Sequence, residues 1–175
     1  NINPRPTLIF NRWGFFDHIL EKIKSKKSFY EFGVWMGASF KYLSPYFKNS
    51  FGFDSFQGLP EDWHHEKAGR YTANGNIPEV DRGQFIIGPF EKTLPTFFSR
   101  TRDVASLIHL DADLYSSTKV ALEHCKSVMD DQTIIIFDNF FMTPSWLIDE
   151  YKALNDFCSE SALRYHVVAV CLFSS

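Results

Sequence analysis

The sequence contains little cysteine, and its few cysteines are badly placed for disulfides or metal binding. The three residues, Cys125, Cys158 and Cys171, are odd in number, far apart and set among apolar neighbours. Small extracellular domains use many paired cysteines, and structural zinc sites use closely spaced ones. We therefore expect reduced thiols in the protein core and a cytoplasmic location.

Long apolar runs and basic tracts are also missing. No apolar stretch approaches the roughly 20 residues of a membrane-spanning helix, and residues 1–6 lack the pattern of a signal peptide. The 18 basic and 21 acidic residues give a net charge of -3, without a cluster that would attract a phosphate backbone. We expect neither a membrane nor a nucleic acid as partner. Because the first residue is not Met, we treat the chain as a candidate fragment of a longer protein.

Apolar runs of strand length alternate with segments of helical periodicity along the chain. The predicted strands are Ser28 to Phe32, Phe51 to Asp54, Gln84 to Ile87, Ala105 to Leu110, Thr133 to Phe137 and Tyr165 to Phe173. Among the predicted helices, one begins with Thr143 as its N-cap and Pro144 in its first turn. The alternation predicts an α/β fold with a mostly parallel central sheet flanked by helices, in a single domain over residues 1–175.

Acidic side chains follow two of the predicted strands at the points where these strands end. Asp111 and Asp113 follow the fourth strand, and Asp138 and Asn139 follow the fifth. Ligands of parallel α/β sheets bind at the carboxyl ends of the strands, so these side chains should share one cleft. Like charges this close favour a bound cation, and an all-oxygen set suits a hard divalent ion such as magnesium.

A glycine-containing turn after the first predicted strand indicates a nucleotide-type ligand. Glu31 and Gly33 end that strand, Gly37 closes the turn, and Asp54 follows 21 residues after Gly33. In nucleotide-binding α/β folds such a turn approaches the ligand, and an acid about 20 residues later accepts hydrogen bonds from ribose hydroxyls. The full G-x-G-x-x-G pattern is lacking, which favours a shorter, adenosine-bearing ligand over a dinucleotide.

Four segments carry motifs that recur together in one family. They run from Glu31 to Trp35, from Asp54 to Pro60, from Gly88 to Pro95 and from Asp111 to Thr118. In order and spacing they resemble the successive signatures of the macrocin O-methyltransferase-like family, over about residues 28 to 160. The resemblance implies a Rossmann-like class I fold that binds S-adenosylmethionine, magnesium-dependent methylation of a hydroxyl group on a small molecule, often a sugar of a natural product, and a homo-oligomer.

The resemblance, with the glycine turn, also assigns roles to single residues. The expected S-adenosylmethionine contacts are Glu31, Gly33, Ser39, Asp54, Ser55, Phe90 and Asp111. Among them, Asp54 is the ribose ligand and Phe90 the neighbour of adenine.

For the metal, the resemblance makes Asp111 and Asp138 ligands and places Asn139 where many members carry a second acid. An aspartate and asparagine pair serves magnesium in the similar catechol O-methyltransferases, and an amide oxygen is a legitimate ligand of a hard cation. We therefore predict Mg²⁺ bound by Asp111, Asp138 and Asn139. Asp113 lies two residues after Asp111, so the two side chains should leave the strand end on the same face. The resemblance makes Asp113 the general base. A helix-cap or loop hydrogen bond is its alternative role.

The histidines have weaker assignments. His109 lies two residues before Asp111, so its side chain should lie on the same face of the strand. A single histidine in a strand is more often a core residue whose hydrogen bonds are satisfied within the protein, and we assign His109 to the core. Residues 55–83 lack periodicity, which is typical of a lid or binding loop. In this loop, His64 and His65 are candidates for a substrate contact or for simple solvation, and they lack partners at zinc-ligand spacing.

Two other functions fit parts of the sequence. Asp111-Ala112-Asp113 is also the D-x-D of metal-dependent glycosyltransferases, although that function explains neither Glu31 nor Asp54. A non-catalytic S-adenosylmethionine-binding module is the second alternative, favoured by Asn139 and by the early end of the chain. Members of the family usually carry a further strand after the last one predicted here, so we expect an edge of the sheet to be missing or supplied from elsewhere.

Overall fold

The computed structural model describes residues 5–101, 103–141 and 145–172, and within them seven strands and five α-helices form. The strands are β1 (Thr7–Ile9), β2 (Ser28–Phe32), β3 (Asn49–Asp54), β4 (Gln84–Ile87), β5 (Ala105–Leu110), β6 (Ile134–Phe137) and β7 (Ala169–Cys171). The helices are α1 (Arg12–Lys22), α2 (Ala38–Leu43), α3 (Phe90–Arg100), α4 (Tyr115–Cys125) and α5 (Glu150–Ser161). Short 3-10 turns lie at Ser44–Tyr46, Lys126–Val128 and Trp146–Ile148.

Five strands form one parallel sheet in the order β4-β3-β2-β5-β6. The α/β fold with a parallel central sheet is therefore confirmed. The chain runs outward from β2 through β3 to β4, then returns to the other side of β2 for β5 and β6. Such a reversal of direction opens a crevice between β2 and β5 at the carboxyl ends of the strands, where α/β proteins bind their ligands.

Helices cover both faces of the sheet. On one face, side chains of α3, α4 and α5 pack with the even-numbered residues of β2 and β5, such as Tyr30 and Ile108. On the other face, α1 and α2 pack with the odd-numbered residues of the same two strands, such as Phe29 and Leu107. Because side chains alternate along a strand, His109 lies on the α1 and α2 side, where its ring meets Phe16.

The last predicted strand differs from the expectation. It is shorter, Ala169–Cys171, and it pairs in parallel with β1 rather than with the central sheet. The three-residue strand β1 is too short to show a period of 2 in the sequence, yet it supplies the backbone partners that β7 needs. The predicted N-cap Thr143 and the following Pro144 lie outside the described residues, and α5 is first seen at Glu150.

The connection between β3 and β4 is long and contains no helix or strand within residues 55–83, all of which are described. It is nevertheless held together by backbone hydrogen bonds, including Leu59 N to Arg70 O at 2.8 Å and Gly75 N to Phe56 O at 2.9 Å. Phe56 and Leu59 are buried and anchor the loop on the core. The predicted lid is thus a folded loop, and its movement stays a prediction.

A search of the helices in the described ranges found none with the length and apolar character needed to cross a lipid bilayer.

Candidate active site

The carboxyl ends of neighbouring strands bring most of the predicted site residues to one edge of the sheet. Gly33 follows β2, Asp54 ends β3, and Asp111 and Asp138 follow β5 and β6. The backbone amide of Asp138 donates to the carbonyl of Leu110 at 3.0 Å, which places the ends of β5 and β6 side by side. The parallel arrangement therefore produces the shared cleft that the sequence predicts.

The turn after β2 requires glycine at its first position. Gly33 has a φ of +86°, and a side chain there would place its Cβ 1.8 Å from the carbonyl oxygen of Asp111. No other residue allows β2 and β5 to approach this closely at the crevice. Gly37 has a φ of +77° and lies directly beneath Pro78 of the long loop, so that the loop closes over the turn.

Asp54 holds the glycine turn in place. Its Oδ2 accepts hydrogen bonds from the backbone amides of Val34 at 2.7 Å and Trp35 at 2.8 Å, and its Oδ1 accepts from Phe56 at 2.7 Å. An ionised carboxylate has about four acceptor sites, so capacity for one further donor is left. The hydrogen bonds to the turn give Asp54 a structural role that the sequence did not reveal, and its contact with ribose stays a prediction.

Glu31 and Ser39 lie beneath the turn rather than on its surface. Glu31 is fully buried, and its Oε1 accepts hydrogen bonds from Ser39 Oγ and from His109 Nδ1, the latter at 2.8 Å. Burial by itself would lower the pKa of His109, but the hydrogen bond and charge of Glu31 outweigh it and the pKa is raised. The predicted core assignment of His109 fits its full burial.

The two other predicted cofactor residues lie at the entrances of loops. Ser55 begins the long loop, and its Oγ accepts a hydrogen bond from the amide of Gln57 at 3.1 Å. Phe90 begins α3 and packs edge-on against Phe32, with the ring centroids 5.7 Å apart. Phe90 is only half-buried and so retains ring surface for a ligand.

An arginine lies between the two predicted metal ligands at the ends of β5 and β6. Arg12 Nη2 donates to Asp138 Oδ1 at 2.8 Å and to Asp111 Oδ2 at 3.2 Å. Burial and the nearby Asp138 charge still raise the pKa of Asp111 to about 7, although Arg12 and His109 lower it. Arg12 therefore compensates the negative charge around Asp111 only in part.

Asp113 is held by Asn139 and not by the strand. β5 ends at Leu110, and Asp113 has a φ of +59°, so the strand alternation assumed from the sequence does not extend to it. Asn139 Nδ2 donates to Asp113 Oδ1 at 2.6 Å. Burial and the Asp138 charge raise the pKa of Asp113 to about 6, while the bond from Asn139 lowers it.

Three side chains form a group that could hold a metal ion. His109, Asp111 and Asp138 each offer one ligand atom, and these atoms all lie within 4.8 Å of one another. Asn139, the third ligand expected from the sequence, lies at the same edge, where its amide nitrogen is bonded to Asp113. The carboxylates and imidazole fit a divalent cation, and the position of Asn139 leaves its role as a ligand a prediction.

Other residues of the site were missed by sequence reasoning. Arg12 comes from α1, 126 residues away from Asp138, and no local pattern connects the two. Glu150 is fully buried at the start of α5 and accepts the backbone amide of Asn139 at 3.0 Å. Burial, followed by the charge of Asp111, raises the pKa of Glu150 well above its ordinary value.

The long loop is joined to α5 by a histidine. His64 Nε2 lies 2.8 Å from Oδ2 of Asp149, the buried residue before the helix. His65, by contrast, has a side chain that is 90% exposed. Of these two candidates for a substrate contact, His64 therefore joins the loop to the start of α5, and His65 faces solvent.

Comparisons with known proteins agree with this arrangement. A family model described as a methyltransferase domain matches residues 30–140. The structure of CalS11, a calicheamicin methyltransferase, superposes with a TM-score of 0.70 at 20% identity, covering 82% of this chain and 69% of that one. The O-methyltransferase NovP gives a TM-score of 0.70 at 18% identity, covering 92% and 76%.

A third similar structure is an O-methyltransferase from Bacillus cereus in complex with SAH, with a TM-score of 0.53 at 16% identity and coverage of 86% of this chain and 68% of that chain. A comparison with curated protein sequences gave no significant match. The superpositions confirm the Rossmann-like methyltransferase fold. Because the matched segment includes the glycine turn and both acidic strand ends and exceeds half of the chain, the protein belongs to the methyltransferase domain family.

Proposed function

We propose that this methyltransferase transfers a methyl group from S-adenosylmethionine to a hydroxyl group of a small molecule, such as a sugar of a natural product. The observation that carries the proposal is the reversal of strand order between β2 and β5, with the Asp54-supported glycine turn on one side and Asp111, Asp113 and Asp138 on the other. One side suits the adenosine end of the cofactor, and the other suits a cation and a proton acceptor.

The similar structures support the choice of acceptor. CalS11 is described as a TDP-rhamnose 3′-O-methyltransferase of calicheamicin biosynthesis, and NovP as an O-methyltransferase. The four motifs of the macrocin-like family favour the same chemistry. We extend it to this chain as a proposal, since identities near 20% establish the fold alone.

In this proposal, S-adenosylmethionine supplies the methyl group on a sulfonium leaving group. Asp54 fixes the turn and uses its remaining acceptor capacity for a ribose hydroxyl, and the half-buried ring of Phe90 covers the adenine. Glu31 and Ser39 contribute from below by holding the turn and α2 together. Catalysis then depends mainly on alignment of the methyl group with the attacking oxygen.

Asp113 is the residue that removes the proton from the acceptor. Asn139 holds Asp113 Oδ1, which leaves Oδ2 to accept the proton. With a pKa of about 6, the carboxyl group is mostly ionised at neutral pH and remains a stronger base than an ordinary aspartate. The positive φ of Asp113 is a strained backbone conformation of the kind that clusters at active sites.

The acid pair is the proposed magnesium site, with Asp111 and Asp138 as ligands and Asn139 as the predicted third. Magnesium, when bound, would lower the pKa of the acceptor hydroxyl group. Asp111 and Asp138 would hold this cation at the strand ends, and the guanidinium of Arg12 would have to withdraw from them to admit it.

Calorimetry and turnover test the proposal. S-adenosylmethionine should bind to the wild-type protein. A D-x-D glycosyltransferase would instead bind a nucleotide sugar with a metal ion and would show no binding of S-adenosylmethionine. A panel of sugars and phenols is then assayed for release of S-adenosylhomocysteine in the presence of Mg²⁺. Binding of the cofactor without turnover of any acceptor in the panel would support the non-catalytic module instead.

The wider setting is proposed on the sequence alone. We propose a cytoplasmic protein of one domain that acts on a small molecule and not on nucleic acid or a membrane, and that assembles as a homo-oligomer. Light scattering of the purified protein tests the assembly, because a mass equal to that of one chain would contradict it.

A further inference from the structure

We propose that His109 is a metal ligand together with Asp111 and Asp138, and that this mixed nitrogen and oxygen site binds divalent first-row transition ions, from Mn²⁺ to Zn²⁺, more tightly than Mg²⁺. The inference rests on the proposed function, because it concerns the cation held by the same acid pair. It adds a ligand of different chemistry that the sequence assigned to the core.

The distances suit one ion. The three candidate ligand atoms lie within 4.8 Å of one another. Metal bonds of about 2.0–2.2 Å place ligand atoms roughly 3–4.4 Å apart. Small side-chain movements of a few tenths of an ångström therefore bring all three atoms onto a common ion.

His109 has one nitrogen that nothing else uses. The side chain is fully buried, its Nδ1 lies 2.8 Å from Glu31 Oε1, and its Nε2 has no hydrogen-bond partner in the part of the chain that the structure describes. A buried nitrogen left without a partner is unfavourable, and a metal ion would satisfy it.

The surroundings of His109 match those of metal-bound histidines. Such residues usually donate their second ring nitrogen to a carboxylate, which fixes the tautomer and makes the imidazole more basic. Glu31 is this carboxylate here, and Ser39 holds it in turn. The ring of Phe16 meets the imidazole edge-on at 5.6 Å, so the ring is fixed from the α1 side.

Backbone geometry directs all three side chains to one point. His109 and Asp111 are two residues apart at the end of β5, and the pairing of His109 with Ile136 in β6 carries Asp138 to the position beside Asp111. The arrangement depends on the strand register and not on a mobile loop. A site built on strands holds its ligands in fixed positions.

The imidazole changes which ions the site prefers. Carboxylate oxygens alone suit Mg²⁺, Ca²⁺ and Mn²⁺, whereas imidazole nitrogen favours the later first-row ions. A purely structural role for His109, as a protonated ring that neutralises the acid pair, would place no nitrogen on the ion. The identity of the coordinating atoms therefore decides between the two roles.

Pulsed electron paramagnetic resonance of the Mn²⁺-loaded protein tests the proposal directly. We expect nitrogen coupling to the bound Mn²⁺ in the wild-type protein, and we expect that coupling to change when all histidines carry ¹⁵N. His109→Gln should lose the coupling and weaken Mn²⁺ and Co²⁺ binding at least about tenfold, with a smaller effect on Mg²⁺. His65→Gln, the same substitution at an exposed histidine, should change neither.

Each outcome has one meaning. Mn²⁺ bound without histidine coupling indicates an oxygen-only site, which overturns this inference and leaves the proposed magnesium-dependent function intact. No binding of Mn²⁺ or Mg²⁺, with cofactor present, overturns the inference and the metal part of the proposed function, while binding of S-adenosylmethionine is measured separately. If His109→Gln does not fold, the labelled wild-type protein decides alone.

Discussion

Arg12 donates a hydrogen bond from Nη2 to Oδ1 of Asp138 at 2.8 Å, and this contact joins the first turn of α1 to the end of β6. The guanidinium lies where the sequence predicts a divalent cation. One positive charge of the protein therefore already compensates part of the acidic site, and a metal ion has to compete with it.

Replacing this arginine should strengthen metal binding. In Arg12→Met the acid pair loses its internal cation, so the affinity for Mg²⁺ should rise by about tenfold, which corresponds to a contact of about 1.4 kcal/mol. Without metal, the same variant should unfold at a lower temperature at neutral pH, because Asp111 and Asp138 repel each other. Isothermal calorimetry and melting curves measure both effects, with the exposed Arg100→Met as the control. Unchanged Mg²⁺ affinity would show that Arg12 does not occupy the metal position in solution.

Loss of the proposed base should affect turnover and spare the cofactor. Asp113→Asn keeps the shape of the side chain but accepts no proton, so kcat should fall by ~10²- to 10⁴-fold while the Kd for S-adenosylmethionine changes little. Asp81→Asn, an exposed position outside the site, is the matched control. Near-normal turnover by Asp113→Asn would move the base role to another residue.

The pH dependence of turnover should report Asp113. A general base acts only when ionised, so kcat/KM should rise with pH through about 6, the pKa of this carboxyl group. Asn139→Ala removes a hydrogen bond that favours the ionised form, and should shift the rise to higher pH by up to about one unit. The profile is recorded at saturating Mg²⁺, so that a weaker metal site does not imitate the shift. An unshifted profile would argue against Asp113 as the titrating base.

Asp54 should matter both to the cofactor and to the turn. Asp54→Ala leaves the amides of Val34, Trp35 and Phe56 without their acceptor, so the protein should melt at a lower temperature even without ligand. Loss of a charged hydrogen bond to ribose should also weaken S-adenosylmethionine binding by roughly ten- to a hundredfold. Asp54→Asn retains one acceptor oxygen. Its melting temperature and its Kd for S-adenosylmethionine should therefore lie between those of the wild-type protein and of Asp54→Ala. A normal cofactor Kd in folded Asp54→Ala would exclude the ribose contact.

Much of this protein follows from patterns that are local in the sequence. Each central strand is a short apolar run, the strands alternate with helices, and parallel strands must end at a common edge. Consequently Asp111 and Asp138 could be placed in one cleft, and Asp54 at the end of another strand, from the sequence alone, because each of them directly follows or ends such a run.

The long-range contacts follow from packing and strand register, which leave no local mark in the sequence. Arg12 and Asp111 are 99 residues apart, and only the packing of α1 against the sheet brings them together. Glu31 meets His109 because β2 pairs with β5 in one register, and a shift by one residue would turn their side chains to opposite faces. The hydrogen bond from Asn139 to Asp113 likewise joins the ends of two neighbouring strands, and no local pattern in the sequence reveals it.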